Sequence, residues 1–232
     1  MSLMPIWIKI CANTSLEDAM MAAEAGAEAV GFVFAPSPRR VTAAQVAAIV
    51  PHLPATVEKI GVFVDASLEE IVSTVEACGL TGVQLHFDAA PELPARLHER
   101  LGPELRILGV VHFGAGTGEQ QAARMADLDR NPHVDAVLVD SRTEMAAGGT
   151  GVTFDWVEAR KALFQNAEAQ SSEVKPRRIA AGGLNPANVA EAIAVLRPWG
   201  VDVVSGVEAA PGRKDKAKVR EFVARARIGK VI

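Results

Sequence analysis

Two residues from distant parts of the chain could carry out general acid–base chemistry, and each closes a run of apolar residues. Cys11 ends the segment IWIKIC, and Asp140 ends the segment VDAVLVD. A thiolate can accept a proton and a carboxylic acid can donate one, so the pair could serve as base and acid. Each also has a simpler explanation, because free cysteines usually pack as small hydrophobes and an aspartate after a strand often caps the next loop.

Lys9 precedes Cys11 by two residues and could supply the positive charge that a reactive thiolate requires. Side chains two residues apart on a strand share a face, so an inward-facing Cys11 implies an inward-facing Lys9. A buried ammonium needs a partner. Asp202 is available in the last apolar run, VDVVS, which would lie beside the first run in a closed sheet. The sequence therefore predicts a Lys9–Asp202 ion pair.

Two apolar runs near the C-terminus break abruptly into glycine. IAA is followed by Gly182 and Gly183, and VDVVS is followed by Gly206. Glycine at the end of a strand lets the backbone turn with positive φ and come close to a ligand. Asn185 and Pro186 then predict a helix start, with Asn185 as the N-cap and Pro186 as the first helical residue. The positive end of that helix would suit a phosphate group.

Other polar residues could bind substrate or merely stabilise the fold. Arg39 follows Pro36 and Pro38 in FAPSPRRVT, where a stiff loop could hold its guanidinium for bidentate carboxylate binding, although most surface arginines are simply solvated. Gln84 and His86 share a face of GVQLH, and their default role is hydrogen bonding within the core. The chain has no HExxH segment or other spacing typical of metal ligands, so no metal is expected.

The elements that would position these residues alternate between strand and helix eight times. The predicted strands are Ile6–Cys11, Ala29–Phe34, Lys59–Val64, Gly82–His86, Arg106–Val111, Val134–Asp140, Arg177–Ala181 and Val201–Ser205. The predicted helices are Leu16–Glu24, Ala43–Val50, Leu68–Cys78, Pro91–Leu101, Glu119–Leu128, Phe154–Leu163, the segment from Asn185, and Asp215–Arg227. This pattern predicts an α/β fold, a single eightfold β/α (TIM) barrel with a closed parallel sheet. The carboxyl ends of the strands would then form one rim that gathers the polar residues.

Length and composition agree with one barrel domain over residues 1–232, with residues 1–3 set aside from the fold argument. The 232 residues are 49% hydrophobic, which predicts a large buried core. A net charge of −4 without a basic run gives no indication of a nucleic-acid partner or an anionic membrane. The two cysteines lack CxxC spacing, and no apolar run approaches membrane-spanning length. A cytoplasmic location is expected, and the oligomeric state is left open.

Ordered motifs over almost the whole chain point to one family. They are KIC (9–11), LEDA (16–19), GFVF (31–34), SPR (37–39), GVFV (61–64), VQLH (83–86), GGTG with TFDW (148–156), AGGLNPANVAEAI (181–193), and VDV followed by SGVE (201–208). Together they resemble phosphoribosylanthranilate isomerase, the barrel enzyme family of tryptophan biosynthesis. Motifs spread in order across eight β/α units are far more specific than any one of them.

This resemblance implies an Amadori rearrangement of N-(5-phosphoribosyl)anthranilate to 1-(2-carboxyphenylamino)-1-deoxyribulose 5-phosphate, an intramolecular oxidoreduction of the aldose–ketose type. By similarity, Asp140 would be the general acid, Cys11 the general base, and Arg39 the group that binds the anthranilate carboxylate. The residues expected to bind phosphate are Gly182, Gly183, Ser205 and Gly206, and the supporting residues are Lys9, Gln84, His86 and Asp202. The resemblance implies a small phosphosugar substrate and neither cofactor nor metal.

The chain departs from the family pattern on the same rim. Ala12 and Asn13 replace the usual Gly-Ile after the cysteine, Phe87 replaces a glycine, Val152 replaces a lysine and Val204 replaces a serine. Two alternatives therefore stay open. One is a related phosphosugar-barrel enzyme, such as one resembling indole-glycerol-phosphate synthase, although the strand ends lack the lysines expected for that reaction. The other is a non-catalytic relative that binds a sugar phosphate.

Overall fold

The computed structural model describes residues 5–86, 90–112, 118–140, 160, 164 and 176–228. The predicted GGTG motif and most of the predicted helix Phe154–Leu163 lie outside the described residues. None of the helices in the described part of the chain has the length and hydropathy that crossing a bilayer requires.

Eight parallel strands close into a barrel in the order in which they occur along the chain, so the predicted fold is confirmed. The first strand pairs with both the second and the eighth, which closes the sheet. The strands are β1 (Trp7–Ile10), β2 (Ala29–Val33), β3 (Glu58–Phe63), β4 (Gly82–Leu85), β5 (Arg106–His112), β6 (Ala136–Asp140), β7 (Arg177–Ala181) and β8 (Gly200–Val203).

Helices follow the strands and cover the outside of the barrel. They are α1 (Leu16–Glu24), α2 (Ala43–Ile49), α3 (Leu68–Cys78), α4 (Leu93–Leu101), α5 (Gly118–Arg130), α6 (Val189–Leu196) and α7 (Lys216–Ile228). Helix α3 shows why these segments begin and end where they do. Ser67 and Glu70 form a capping box at its start, and Gly79 ends it in the left-handed conformation at φ 66°.

The side chains of the strands alternate between two apolar layers. One layer fills the barrel interior and consists of Trp7, Ala29, Ile60, Leu108, Val110, Ala136, Leu138, Ile179 and Ala181. The other lies between the sheet and the helices and includes Ile8, Ile10, Val137, Val139, Val201 and Val203. Successive strand side chains point to opposite faces of the sheet. The residues that directly precede or follow these outer-layer residues therefore point into the barrel. This alternation, the parity of a residue's position along its strand, decides which polar residues meet inside the barrel.

The N-terminal end of the barrel is closed by aromatic packing. The rings of Trp7 and Trp199 stack with centroids 5.1 Å apart, and the guanidinium of Arg177 lies 4.6 Å from the centre of the Trp199 ring. The Trp7 indole also donates a 3.4 Å hydrogen bond to Glu58. A stacked pair with a cation on its face gains energy beyond its buried area.

The helix after β7 begins later than predicted. The Asn185 side chain accepts a 2.8 Å hydrogen bond from the backbone N–H of Ala187, and its carbonyl accepts a 3.1 Å bond from the N–H of Val189, which are the bonds of an N-cap residue. Regular helix α6 starts only at Val189, and Asn188 before it makes no side-chain capping bond. The predicted capping bonds of Asn185 are therefore confirmed, whereas regular helix begins three residues after the predicted first helical residue, Pro186.

A short hairpin after β8 was not predicted. After β8, a short 3₁₀ turn (Ser205–Val207) leads into an antiparallel hairpin of β9 (Glu208–Ala210) and β10 (Arg213–Lys214). The Pro211-Gly212 pair between them is a recognised turn signal, with Gly212 at φ 79°. Two strands of three and two residues are too short for a sequence pattern to reveal.

Replacing Trp7 by alanine should test the role of the aromatic closure. Removing a buried tryptophan leaves a cavity, so Trp7→Ala should lower the free energy of unfolding by about 3–5 kcal/mol in urea titrations. Leu16→Ala, at an exposed position, is the control and should change it by no more than about 0.5 kcal/mol. Equal stability of the two variants would contradict the packing described here.

Candidate active site

Cys11 points into the barrel at the carboxyl end of β1. It lies two residues beyond Lys9 and four beyond Trp7, which belongs to the interior layer, and its backbone N–H donates a 2.9 Å hydrogen bond to Val203 of β8. Its thiol lies against Gly31 of β2, where an added Cβ would be 2.5 Å from Sγ and 3.1 Å from Cε of Lys9. Only glycine leaves the space that the thiol occupies. Cys11 is 3% exposed, so its side chain lies just below the surface of the rim.

Lys9 lies one layer below the thiol and makes the predicted ion pair. Its Nζ donates hydrogen bonds of 2.9 Å to Asp202 Oδ1 and 2.9 Å to Gln84 Oε1. The pairing register places Lys9 directly beside Asp202 on β8. All three side chains are buried, so the prediction of a Lys9–Asp202 pair is confirmed and Gln84 is a further partner.

Burial and charge act in opposite directions on the thiol. Burial raises the pKa of Cys11, whereas the Lys9 ammonium lowers it and the Asp202 carboxylate raises it; the net direction is upward. Burial would lower the pKa of Lys9, but Asp202 and Cys11 outweigh it and the pKa is raised. The ammonium is therefore held in its charged form next to a thiol that keeps its proton at neutral pH.

Asp140 is the last residue of β6 and points inward by the same parity as Ala136 and Leu138. It is buried, and it lines a small cavity together with Gly182, Gly183, Asp202 and Ser205. Asp202 thus borders the cavity of Asp140 and binds the lysine beneath Cys11. The predicted acid and the predicted base lie on one rim, with the predicted phosphate turns beside the acid.

The two glycine turns after β7 and β8 lie against each other. Gly182 and Gly183 have φ values of 82° and 63°, which favour glycine. The backbone of Gly206 passes so close to Leu184 that an added Cβ would lie 1.9 Å from the Leu184 carbonyl oxygen. Helix α6 begins at Val189, and the predicted contribution of this helix end to phosphate binding stays a prediction.

His86 lies at the rim just beyond β4 and contacts a second histidine. Its Nδ1 is 3.4 Å from Nε2 of His112, the last residue of β5. This contact agrees with the default expectation of hydrogen bonding within the barrel. The part of the chain that the structure describes contains no group of three or more histidine, cysteine, aspartate or glutamate side chains placed to hold a metal ion.

Arg39 lies on the loop after β2, and its guanidinium is held by a carboxylate of the protein itself. Its Nε and Nη2 donate hydrogen bonds of 2.8 and 2.7 Å to the two oxygens of Glu208. The sequence predicted a bidentate carboxylate contact for Arg39 but assigned it to a substrate. Glu208 was noted only as part of a motif and Lys214 was missed, since both belong to the unpredicted hairpin.

Three of the departing residues, Ala12, Asn13 and Val204, can be described in structural terms, whereas Phe87 and Val152 lie outside the described residues. Ala12 adopts a positive φ of 61°, which explains why glycine would be preferred at this position. The carbonyl oxygen of Val204 accepts a 3.2 Å hydrogen bond from Nζ of Lys214.

Comparison with known proteins gives one consistent family. The family described as N-(5'phosphoribosyl)anthranilate (PRA) isomerase matches residues 8–225. The chain belongs to this family. The N-(5'-phosphoribosyl)anthranilate isomerase of Pelobacter propionicus is 43% identical over 219 residues, covering 94% of each protein.

Solved structures of the family have the same fold. The phosphoribosyl anthranilate isomerase of Thermotoga maritima superposes with a TM-score of 0.78 at 35% identity, covering 95% of this chain and 98% of that one. A second structure of the enzyme, in complex with reduced 1-(o-carboxyphenylamino)-1-deoxyribulose 5-phosphate, gives a TM-score of 0.75 at 33% identity, with the same coverage.

The contact between Cys11 and Gly31 can be tested with a double-mutant cycle. Gly31→Ala should lower the free energy of unfolding by about 1–3 kcal/mol, because the new methyl group overlaps Sγ. In a Cys11→Ala background the cost should be smaller, since the overlapping sulfur is gone. Strictly additive unfolding free energies in urea would show that the thiol does not lie against Gly31.

The opposing effects of Lys9 and Asp202 on the thiol predict an order of pKa values. In a Cys78→Ser background, which leaves one thiol, Lys9→Met should raise the pKa of Cys11 further because a lowering charge is lost. Adding Asp202→Asn should lower the pKa of Cys11 again, because the carboxylate that raises it is also removed. Titration of the ultraviolet absorbance of the thiolate measures both, and an unchanged pKa in Lys9→Met would refute the electrostatic coupling.

Proposed function

We propose that this chain catalyses the Amadori rearrangement of N-(5-phosphoribosyl)anthranilate, an intramolecular oxidoreduction of the aldose–ketose type. The single observation that supports this most directly is the pair of inward-facing groups, Cys11 and Asp140, at the carboxyl end of one barrel. The glycine turns beside Asp140 supply backbone amides for the phosphate of a sugar substrate. The small-molecule phosphosugar is the only class of partner proposed.

In the first step, Asp140 protonates the ring oxygen of the furanose. The nitrogen lone pair forms the C1=N bond as the C1–O bond breaks, which leaves an open-chain Schiff base with a positive charge on nitrogen. Asp140 is placed for this step because its carboxyl lies at the inner end of β6 and lines the cavity beside the glycine turns. The phosphate turns fix the far end of the sugar and thereby orient the ring oxygen towards the acid.

In the second step, Cys11 removes the proton from C2. The electron pair of the C–H bond forms the C1=C2 double bond, and the electrons of the C1=N bond return to nitrogen. The resulting enol becomes the ketone of the product when C1 gains a proton and the hydroxyl on C2 loses one. Burial makes the Cys11 thiolate scarce but strongly basic, and the Lys9 ammonium favours its formation.

The remaining predicted roles fit around these two steps. Arg39 would bind the anthranilate carboxylate, and Lys9, Gln84 and Asp202 would hold the charge beneath the thiol. We propose no cofactor, no metal and no nucleic-acid or membrane partner, and one barrel domain in a cytoplasmic protein. His86 would border the substrate at the rim.

Removing either reactive group should reduce turnover strongly. Cys11→Ala and Asp140→Asn should each lower kcat by at least about 10²-fold, the usual contribution of a general acid or base. Cys78→Ala is the matched control, because Cys78 is equally buried but belongs to α3, and it should keep its activity. The assay follows the loss of phosphoribosylanthranilate fluorescence.

Complementation of a tryptophan auxotroph that lacks the isomerase separates the proposed function from its alternatives. Growth is the expected result. Turnover of the ring-opened product without turnover of phosphoribosylanthranilate would instead indicate a synthase. Binding of the substrate without turnover would indicate a non-catalytic relative.

A further inference from the structure

The β9–β10 hairpin connects the loops that carry the proposed base and the proposed carboxylate-binding arginine. The hydroxyl of Thr14, three residues after Cys11, donates a 2.6 Å hydrogen bond to the carbonyl of Gly212 at the hairpin turn. Lys218 of α7 binds the backbone carbonyl of Glu208 at 2.8 Å and anchors the hairpin from below. Nothing in the two proposed chemical steps uses this element.

Glu208 is the centre of a charged cluster, which we call the Glu208 cluster and which consists of the buried residues Glu208 and Lys214 and the partly exposed Arg39. Its carboxylate accepts hydrogen bonds from Nε and Nη2 of Arg39 at 2.8 and 2.7 Å, from Nζ of Lys214 at 3.3 Å and from the backbone of Gly212 at 3.3 Å. Burial would raise the pKa of Glu208, but the hydrogen bonds and charges of Arg39 and Lys214 outweigh it and hold the pKa below its usual range. The carboxylate therefore stays ionised.

The Glu208 contact fixes the orientation of the arginine. A guanidinium is planar, so two hydrogen bonds along the edge that carries Nε and Nη2 determine its plane and direction. The opposite edge, which carries Nη1, is then directed away from Glu208. An arginine on a surface loop without such a partner would sample many rotamers and lose entropy on binding a ligand.

Lys214 changes the charge balance of the cluster. An Arg39–Glu208 pair alone would be neutral and a poor receptor for an anion. Burial lowers the pKa of Lys214, and the Glu208 carboxylate opposes this effect; in its ammonium form Lys214 gives the cluster a net positive charge. The side chain of Lys214 is fully buried, with 0% exposure, and also donates to the carbonyl of Val204 beside the second glycine turn. Its charge also acts on the thiol, where it lowers the pKa of Cys11 and opposes the effect of burial.

We propose that Glu208 and Lys214 are positioning residues of the active site. Glu208 aims the Arg39 guanidinium at the carboxylate of the substrate, and Lys214 keeps the arginine cluster net positive. This proposal rests on the proposed function, because it assumes a substrate whose aromatic ring carries a carboxylate. A purely structural role, in which Glu208 only ties the hairpin to the β2 loop, is the competing explanation.

The two explanations differ in how binding depends on the ligand's carboxylate. The probes are reduced 1-(o-carboxyphenylamino)-1-deoxyribulose 5-phosphate and the same compound made from aniline, which lacks the carboxyl group. Glu208→Gln should weaken binding of the first by about tenfold or more, as expected for loss of a charged hydrogen-bond arrangement, and leave the second nearly unchanged. Isothermal titration calorimetry measures both dissociation constants.

The sign of this effect is informative, because Glu208→Gln also makes the cluster more positive. If charge alone governed binding, the carboxylate ligand would bind more tightly. Weaker binding despite the added positive charge is therefore specific to a lost orientation. Lys214→Met removes a positive charge but keeps both residues of the Arg39–Glu208 contact. It should weaken binding of the ligand that carries the carboxylate, as expected from the loss of charge.

Arg213→Gln is the matched control, since Arg213 lies on the same strand as Lys214 but is exposed. It should change neither dissociation constant. Arg39→Met should reproduce the ligand-selective loss, and the Arg39→Met/Glu208→Gln double variant should add little to it. Equal weakening of both ligands by Glu208→Gln, or tighter binding of the carboxylate ligand, would overturn the positioning role alone. Wild-type protein that binds neither ligand would overturn the proposed function and this proposal together.

Discussion

The burial of one ammonium group determines how the polar residues of this barrel are arranged. Lys9 has no exposed surface, so its charge must be compensated inside the barrel, where uncompensated charge is very costly. Asp202 on the neighbouring strand and Gln84 across the interior provide that compensation. These contacts place a fixed cation directly beneath Cys11. The pKa of the thiol therefore depends on an ion pair that also joins β8 to β1.

The alternation of strand side chains places further polar residues above the Lys9–Asp202 pair, on the same inward face of the sheet. Apolar residues such as Trp7 and Leu138 fill the interior below, and the next inward positions on β1 and β6 are the polar residues Lys9 and Asp140. Cys11 and Asp140 are the inward residues at the carboxyl ends of β1 and β6. A thiol and a carboxyl more than a hundred residues apart thus reach one rim, because parity and strand length determine their direction.

The features that the sequence could predict are those that depend on this alternation and on the burial of charge. Regular alternation revealed the eight strands and the Lys9–Asp202 pair, since both depend on periodicity and on the requirement to neutralise a buried charge. The capping bonds of Asn185 were predicted from its residue type, but the turn that precedes regular helix at Val189 was not. The partner of Arg39 was missed because Glu208 lies on a hairpin too short to leave a periodic signal.

The loop after Cys11 shows how this chain accommodates its departure from the family pattern. Ala12 adopts a φ of 61°, a conformation that costs a residue with a Cβ roughly 1–2 kcal/mol. The next residue holds it there: the side-chain amide of Asn13 donates to the carbonyls of Ile10 at 2.8 Å and Gly31 at 3.2 Å, and its backbone N–H donates to Gly31 at 2.9 Å. An isoleucine at position 13 could not make the two side-chain bonds. Alanine and asparagine therefore act as a pair, in which the hydrogen bonds of Asn13 offset the strain at Ala12 and tie the thiol's loop to the glycine against which the thiol lies.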